Sequence, residues 1–282
     1  MSISRVGIIG AGVMGCGVAE VCARAGLDVV IRDVNSAAVA KGLNQVEKSL
    51  KRSVEKGKLD GAELPPILAR VRGGESDTEL SGCEIIVEAA SERMVAKKEI
   101  FAQLDAVCSP SAVLATNTSA LSITEIASST ASPHRVIGLH FFNPVPVMAL
   151  VEVIRGVHTD GESHRLAVEF VRKIGKTPVG VVESPGFLVN RMLVPMINEA
   201  VGILAEGVAS AEAIDTAMTL GANHPIGPLG LADLIGNDVC LAIMETLHSE
   251  FGDPRYRPHP LLRKKVRGGL LGRKSGEGFF KY

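Results

Sequence analysis

The sequence lacks a charge imbalance. Thirty basic and 31 acidic residues leave a net charge of −1, whereas a dedicated nucleic-acid or membrane-surface protein normally carries a basic excess. Neither partner is expected, and phosphate-bearing molecules would have to be met locally. Patterned cysteine is missing too. Cys16, Cys22, Cys83, Cys108 and Cys240 are odd in number, scattered and never in C-x-x-C spacing, which fits neither a disulfide framework nor a zinc site. They read as reduced thiols of a cytoplasmic protein. The seven histidines contain no H-E-x-x-H, and His158 and His164 lie six positions apart, off a common helix face. No metal site is expected. What the 282 residues do provide is apolar content for one large or two ordinary domains with real cores.

After Arg5 the chain is apolar enough to pass for a signal-peptide core, but its glycines say otherwise. Gly10, Gly12 and Gly15 form G-x-G-x-x-G directly after the β-rich Val6 to Ile9. A helical pattern through Val18, Val21 and Cys22 follows, ending near Gly26, and a second strand from Asp28 to Ile31 leads to Asp33. Strand, glycine turn, helix and strand are the context that gives this motif meaning. The first glycine allows the tight turn, the second lets backbone approach a pyrophosphate, and the third lets helix lie on strand. The helix N-terminus offers N–H groups to phosphate. Asp33 stands where an acid meets the adenosine ribose and repels a 2′-phosphate, which points to NAD. Arg32 beside it leaves NADP use open.

From Ser36 to Leu59, Val39, Leu43, Val46, Leu50 and Val54 recur at helical spacing. Lys48, Arg52 and Lys56 line one face with Ser49 beside them, either as a solvated face or as a phosphate grip. Pro65 and Pro66 interrupt before a short helix or turn. Cys83 to Glu88 reads as a buried parallel strand, Ala89 to Leu104 as a helix with Glu92 and Lys97 near its start, and Ala112 to Ala115 as a strand ending in Thr116-Asn117-Thr118-Ser119. Such strand ends are where doubly wound sheets bind ligands. Ser119 is therefore a candidate hydrogen-bond donor to substrate, or the N-cap of a helix over 121–127.

Strands over 135–139, 150–154 and 179–182 complete the sheet. Between the first two, His140 is followed by Asn143, Pro144 and Pro146, which break the chain before Glu152. The turn brings a returning strand close enough for the Glu152 carboxylate to reach the imidazole. That makes His140 a candidate base and Glu152 its orienter, fixing the tautomer and stabilising the imidazolium. The plainer alternative is a core histidine and a solvated glutamate.

Near Glu183 the character changes. A long helix over 187–204 containing Pro195, one from Ser210 or Glu212 through Leu220, and one over 229–251 expose more apolar surface than a unit this size buries alone. Asn190 begins the first, where its amide would face an interdomain cleft. The expected architecture is thus α/β, a Rossmann-type doubly wound, mostly parallel sheet over 1–184, followed by an all-α domain over 185–282 that mediates a homodimer.

The chain resembles the 3-hydroxyacyl-CoA dehydrogenase family, most closely its short bacterial 3-hydroxybutyryl-CoA members, from Val6 to Tyr282. The marks are Gly10-Ala-Gly-Val-Met-Gly15, Thr116-Asn-Thr-Ser119, Gly138-Leu-His-Phe-Phe-Asn-Pro-Val-Pro-Val-Met148, Leu150-Val-Glu-Val-Ile154, Pro185-Gly-Phe-Leu-Val-Asn-Arg191 and Gly272-Arg-Lys-Ser-Gly-Glu-Gly-Phe279. Thr116 departs from a serine often found there. The resemblance implies an NAD-dependent oxidoreductase of fatty acid metabolism acting on an acyl-CoA. His140 would be its general acid/base, Glu152 its orienter, and Ser119 and Asn190 its contacts to the reacting end. Asp33, Glu92, Lys97, Ser119, Asn143 and Lys274 match cofactor-contacting positions. Ser49 and Lys56 match positions meeting coenzyme A, whereas Arg52 has no such warrant. A dehydrogenase for a small sugar acid and a non-catalytic NAD-binding protein are the alternatives.

Overall fold

The structure, a computed structural model, describes residues 3–282. It divides into two compact units, 1–183 and 184–282.

The first unit is built on one sheet. Its elements are β1 (Arg5–Ile9), α1 (Val13–Arg24), β2 (Asp28–Arg32), α2 (Ser36–Glu55), α3 (Leu64–Leu68), β3 (Val71–Gly73), β4 (Ile85–Glu88), α4 (Met94–Val107), β5 (Val113–Thr116), α5 (Ile123–Ala127), β6 (Val136–Phe141), β7 (Leu150–Arg155), α6 (Gly161–Lys173) and β8 (Thr177–Val182). The strand order is β3-β2-β1-β4-β5-β6-β7-β8. All neighbours run parallel except β6 and β7. The order reverses between β1 and β4, the switch point where doubly wound sheets open a ligand crevice. β4 and β5 are buried along their whole length, as strands covered on both faces must be. Pro178 is tolerated because β8 is an edge strand.

Helix positions follow from caps and stripes. Asn35 caps α2 by accepting the Ala38 N–H at 2.8 Å, and Val39, Gly42, Val46 and Leu50 form its buried face. Asp160 caps α6 by accepting from the Ser163 N–H at 2.7 Å, and Leu166, Ala167, Phe170 and Val171 seat it.

Several expectations differ from what is found. Pro65 and Pro66 do not interrupt; they occupy the first turn of α3, where proline's missing N–H costs nothing. Ser122, not Ser119, caps α5, accepting from the Glu125 N–H at 3.1 Å. β3 and α6 were not anticipated.

The second unit is helical: α7 (Val189–Ala205), α8 (Ala211–Gly221), α9 (Pro228–Ile235), α10 (Asn237–Phe251) and α11 (Pro260–Arg267). The single helix expected over 229–251 is two, because Gly236 takes φ +108°, outside the helical region. Its core gathers Val194, Ile197, Leu229, Met244, Leu247 and Leu262. The chain after α11 has only the short 3-10 turn Arg273–Ser275 and is clasped onto Asp233, whose carboxylate accepts the Phe279 and Phe280 N–H groups at 2.9 and 2.8 Å.

Candidate active site

At the switch point, sterics dictate the glycines. Gly10 has φ +100°, and a Cβ there would lie 2.6 Å from the Ala89 carbonyl oxygen. A Cβ on Gly15 would lie 1.8 Å from the Gly10 oxygen. At Gly12 a Cβ would meet no described atom within 4 Å, so this glycine is not required by packing and faces open space. That space is a cleft of about 440 Å³, walled by Gly10, Gly12, Arg32, Asp33, Val34 and Asp77 and, opposite, by Ala89 to Ser91 and Ile100 and Gln103 of α4. Asp33 is fixed at its mouth, each carboxylate oxygen accepting a backbone N–H, from Ala11 and from Val34, at 2.6 Å. Room before a glycine at a helix N-terminus and an anchored acid fit an adenine dinucleotide.

Along the same sheet edge lies a polar network absent from the sequence reading. Glu88, fully buried at the end of β4, accepts from the Lys97 amine at 2.7 and 2.9 Å, the Thr116 hydroxyl at 2.7 Å and the Ala90 N–H at 2.7 Å. Lys97 is itself buried, with its amine 3.4 Å from Glu92. Glu92 accepts from the Thr118 hydroxyl at 2.5 Å and the Ser119 N–H at 2.9 Å. Ser119, half-buried, is thereby held just beyond β5. Asn117 accepts the Phe141 N–H at 2.9 Å, tying the end of β5 to the strand that carries His140. The only sequence signal for Glu88 was a charge closing an apolar strand.

His140 sits near the end of β6, and antiparallel pairing places it opposite Glu152 on β7. Nδ1 lies 2.7 Å from the Glu152 Oε2, with both residues buried. An ionised carboxylate only accepts, so this contact favours the tautomer with the hydrogen on Nδ1. The Phe142 ring lies 4.5 Å from the imidazole, tilted by 56°. Asn143 is exposed in the 142–149 loop. Lys176, just before β8, pins that loop, donating to the carbonyls of Val145 and Met148 at 2.6 Å each.

On α2, Ser49 is half-buried and Lys48 and Arg52 are exposed, as is Lys56 at its C-cap. In the second unit, Asn190 lies in the first turn of α7 and Lys274 pairs with Asp238. Burial raises the thiol pKa of Cys16, Cys83 and Cys108 to about 11 and of Cys240 to about 12, and moves Cys22 further up. Among the described residues no helix is long and apolar enough to cross a membrane, and no three metal-ligating side chains converge.

Sheet order, glycine turn and anchored acid define a dinucleotide-binding α/β protein. Residues 5–184 match the family model for the 3-hydroxyacyl-CoA dehydrogenase NAD binding domain, and residues 186–282 match that for its C-terminal domain. The chain belongs to the 3-hydroxyacyl-CoA dehydrogenase family and is an NAD-dependent enzyme of that class. It is 51% identical to a probable 3-hydroxybutyryl-CoA dehydrogenase of Bacillus subtilis, spanning 100% of this chain and 98% of the relative. It is 52% identical to the 3-hydroxybutyryl-CoA dehydrogenase of Clostridioides difficile, over 99% of both chains. The crystal structure of (S)-3-hydroxybutyryl-CoA dehydrogenase from Ralstonia eutropha superposes with a TM-score of 0.97, at 50% identity, covering 100% of this chain and 99% of the other.

Proposed function

We propose that the enzyme interconverts a (3S)-3-hydroxyacyl-CoA, 3-hydroxybutyryl-CoA among them, and the 3-oxoacyl-CoA. The observation that carries the reading is the buried His140 and Glu152 pair at 2.7 Å, on β6 and β7 of the same sheet whose switch point opens the dinucleotide crevice. Bound NAD supplies the hydride acceptor. In oxidation, Nε2 of His140 takes the proton of the 3-hydroxyl while Glu152, held by Nδ1, keeps the ring oriented and balances the charge it gains. In reduction the same imidazolium returns a proton to the forming alkoxide. Ser119 and Asn190 donate hydrogen bonds to substrate oxygens whose charge changes. Ser49 and Lys56 meet coenzyme A. Asn143, Glu92 and Lys274 contact the cofactor, and Lys97 acts from behind Glu92. The first domain, 1–184, holds the nucleotide; the second, 185–282, carries Asn190 and forms a homodimer, in the cytoplasm. Family membership favours this reading over a sugar-acid dehydrogenase or a non-catalytic protein.

The test is NADH oxidation with acetoacetyl-CoA against free acetoacetate. Turnover confined to the CoA ester is expected. His140→Gln should lower turnover roughly 10²- to 10⁴-fold, the range of a positioned acid/base, with NADH still bound. A variant that binds NADH and keeps a near-normal rate would remove His140 from the chemistry.

A further inference from the structure

The cleft mouth holds an unexpected charge arrangement. Arg32, the last residue of β2, stands next to Asp33, where an unpaired guanidinium would offer a fork to a ribose 2′-phosphate. It is not unpaired. Its Nε lies 3.2 Å from Oδ1 of Asp77, with the two side chains 22% and 34% exposed. Asp77 opens the short 3-10 turn Asp77–Leu80, in the connection from β3 to β4, and it lines the same cleft. The contact is an ion pair without hydrogen-bond alignment, since among the described residues no acceptor is aligned with the Arg32 Nε. Charge proximity alone holds Arg32 to Asp77.

We propose that Asp77 is a second determinant of cofactor choice, neutralising Arg32 so that the cleft rejects a 2′-phosphate although an arginine stands beside Asp33. The proposal rests on reading the cleft as the adenosine ribose site. Asp33 presents a carboxylate that two backbone amides prevent from turning away. A 2′-hydroxyl needs only that acceptor. A 2′-phosphate would meet two carboxylates and one cation, so its own charge faces a net negative surface. Without Asp77, the guanidinium of Arg32, charged throughout, is no longer offset by a second carboxylate and can turn to an incoming anion. The pair is partly exposed and unaligned, so its loss does not undermine the fold.

The experiment measures dissociation constants for NADH and NADPH by titrating the emission of the reduced nicotinamide, in a chain that has no tryptophan. The proteins are the unmodified enzyme, Asp77→Asn, Arg32→Met and the double variant. Asp77→Asn should tighten NADPH roughly tenfold while NADH stays within about twofold, the worth of one charge-assisted hydrogen bond. The double variant should lose that gain, and rising salt should erode it. NADPH affinity unchanged in Asp77→Asn with NADH binding intact overturns the proposal, as does a gain that survives Arg32→Met. An unmodified protein that binds neither nucleotide overturns the ribose-site reading and the proposal with it, and is distinguishable because NADH binding itself is then absent.

Discussion

Lys97 places its amine in the interior, with 1% of its side chain exposed. Such a burial is tolerated because Glu88 receives the amine with both oxygens and is itself satisfied by Thr116 and the Ala90 amide. Removing one partner leaves the other charge buried and uncompensated, whereas replacing both with neutral groups of similar shape costs far less. Lys97→Met should therefore lower unfolding stability by about 3–5 kcal/mol, and Lys97→Met with Glu88→Gln should recover much of it. Urea titration of the three proteins checks this. A loss under about 1 kcal/mol in the single variant would mean that the pair is hydrated. The sequence placed Lys97 near a helix start but not what it faces. Its partner closes an apolar strand nine residues earlier, and only the turn after β4 brings them together.

At the scale of elements, α1 and the 142–149 loop are one packing problem. A Cβ on Gly17 would lie 2.8 Å from the Val145 Cβ and 3.0 Å from its Cγ2, so this helix approaches the loop at glycine distance. Lys176 holds the same loop through the Val145 and Met148 carbonyls. Burial chiefly, and Arg24 secondarily, lowers the Lys176 pKa. Gly17→Ala should push the loop away and misplace the strands it joins. We expect a loss of stability of about 1–3 kcal/mol and a fall in turnover of up to roughly 10²-fold, with partial rescue by Val145→Gly. Melting curves and steady-state rates test it; unchanged turnover would show that the loop yields without moving His140. Element legibility varied for physical reasons. Strands β4 and β5 were readable as continuous apolar runs. The three residues of β3 are too few for periodicity to register. The α6 stripe existed at Leu166, Ala167, Phe170 and Val171, but a polar first turn conceals its start.

For the molecule as a whole, acid stability depends on how the sheet's charges are held. Burial alone would raise the Asp105 carboxyl, but the Arg135 guanidinium and the Ala131 amide outweigh it and hold its pKa below the ordinary value. Arg135 is buried and binds Asp105 through Nε and Nη2 at 3.2 and 2.7 Å, also taking the Ser109 and Ala112 carbonyls, so the pair ties α4 to the starts of β5 and β6. A folded pKa below the unfolded one contributes stability that is fully present above the unfolded value and lost as pH falls through the folded one. Asp105→Asn should thus destabilise the protein at pH 7, with the difference from the unmodified chain shrinking below about pH 4. Denaturant midpoints across that range measure it. A gap constant with pH would show that the carboxylate's charge contributes nothing.

The sequence by itself determined the sheet's character, the glycine turn with Asp33 and the change to helices near residue 184, and it offered the facing of His140 and Glu152 as one of two readings. All of these follow from local periodicity, or from chain breaks a few residues apart. Only the tertiary structure decided that Lys97 answers Glu88, that Glu92 holds Ser119, that Lys176 and Gly17 seat the loop after His140, and that Arg32 is paired with Asp77. Each joins residues whose adjacency is set by strand order and by packing across the sheet. Separation along the chain carries no trace of that.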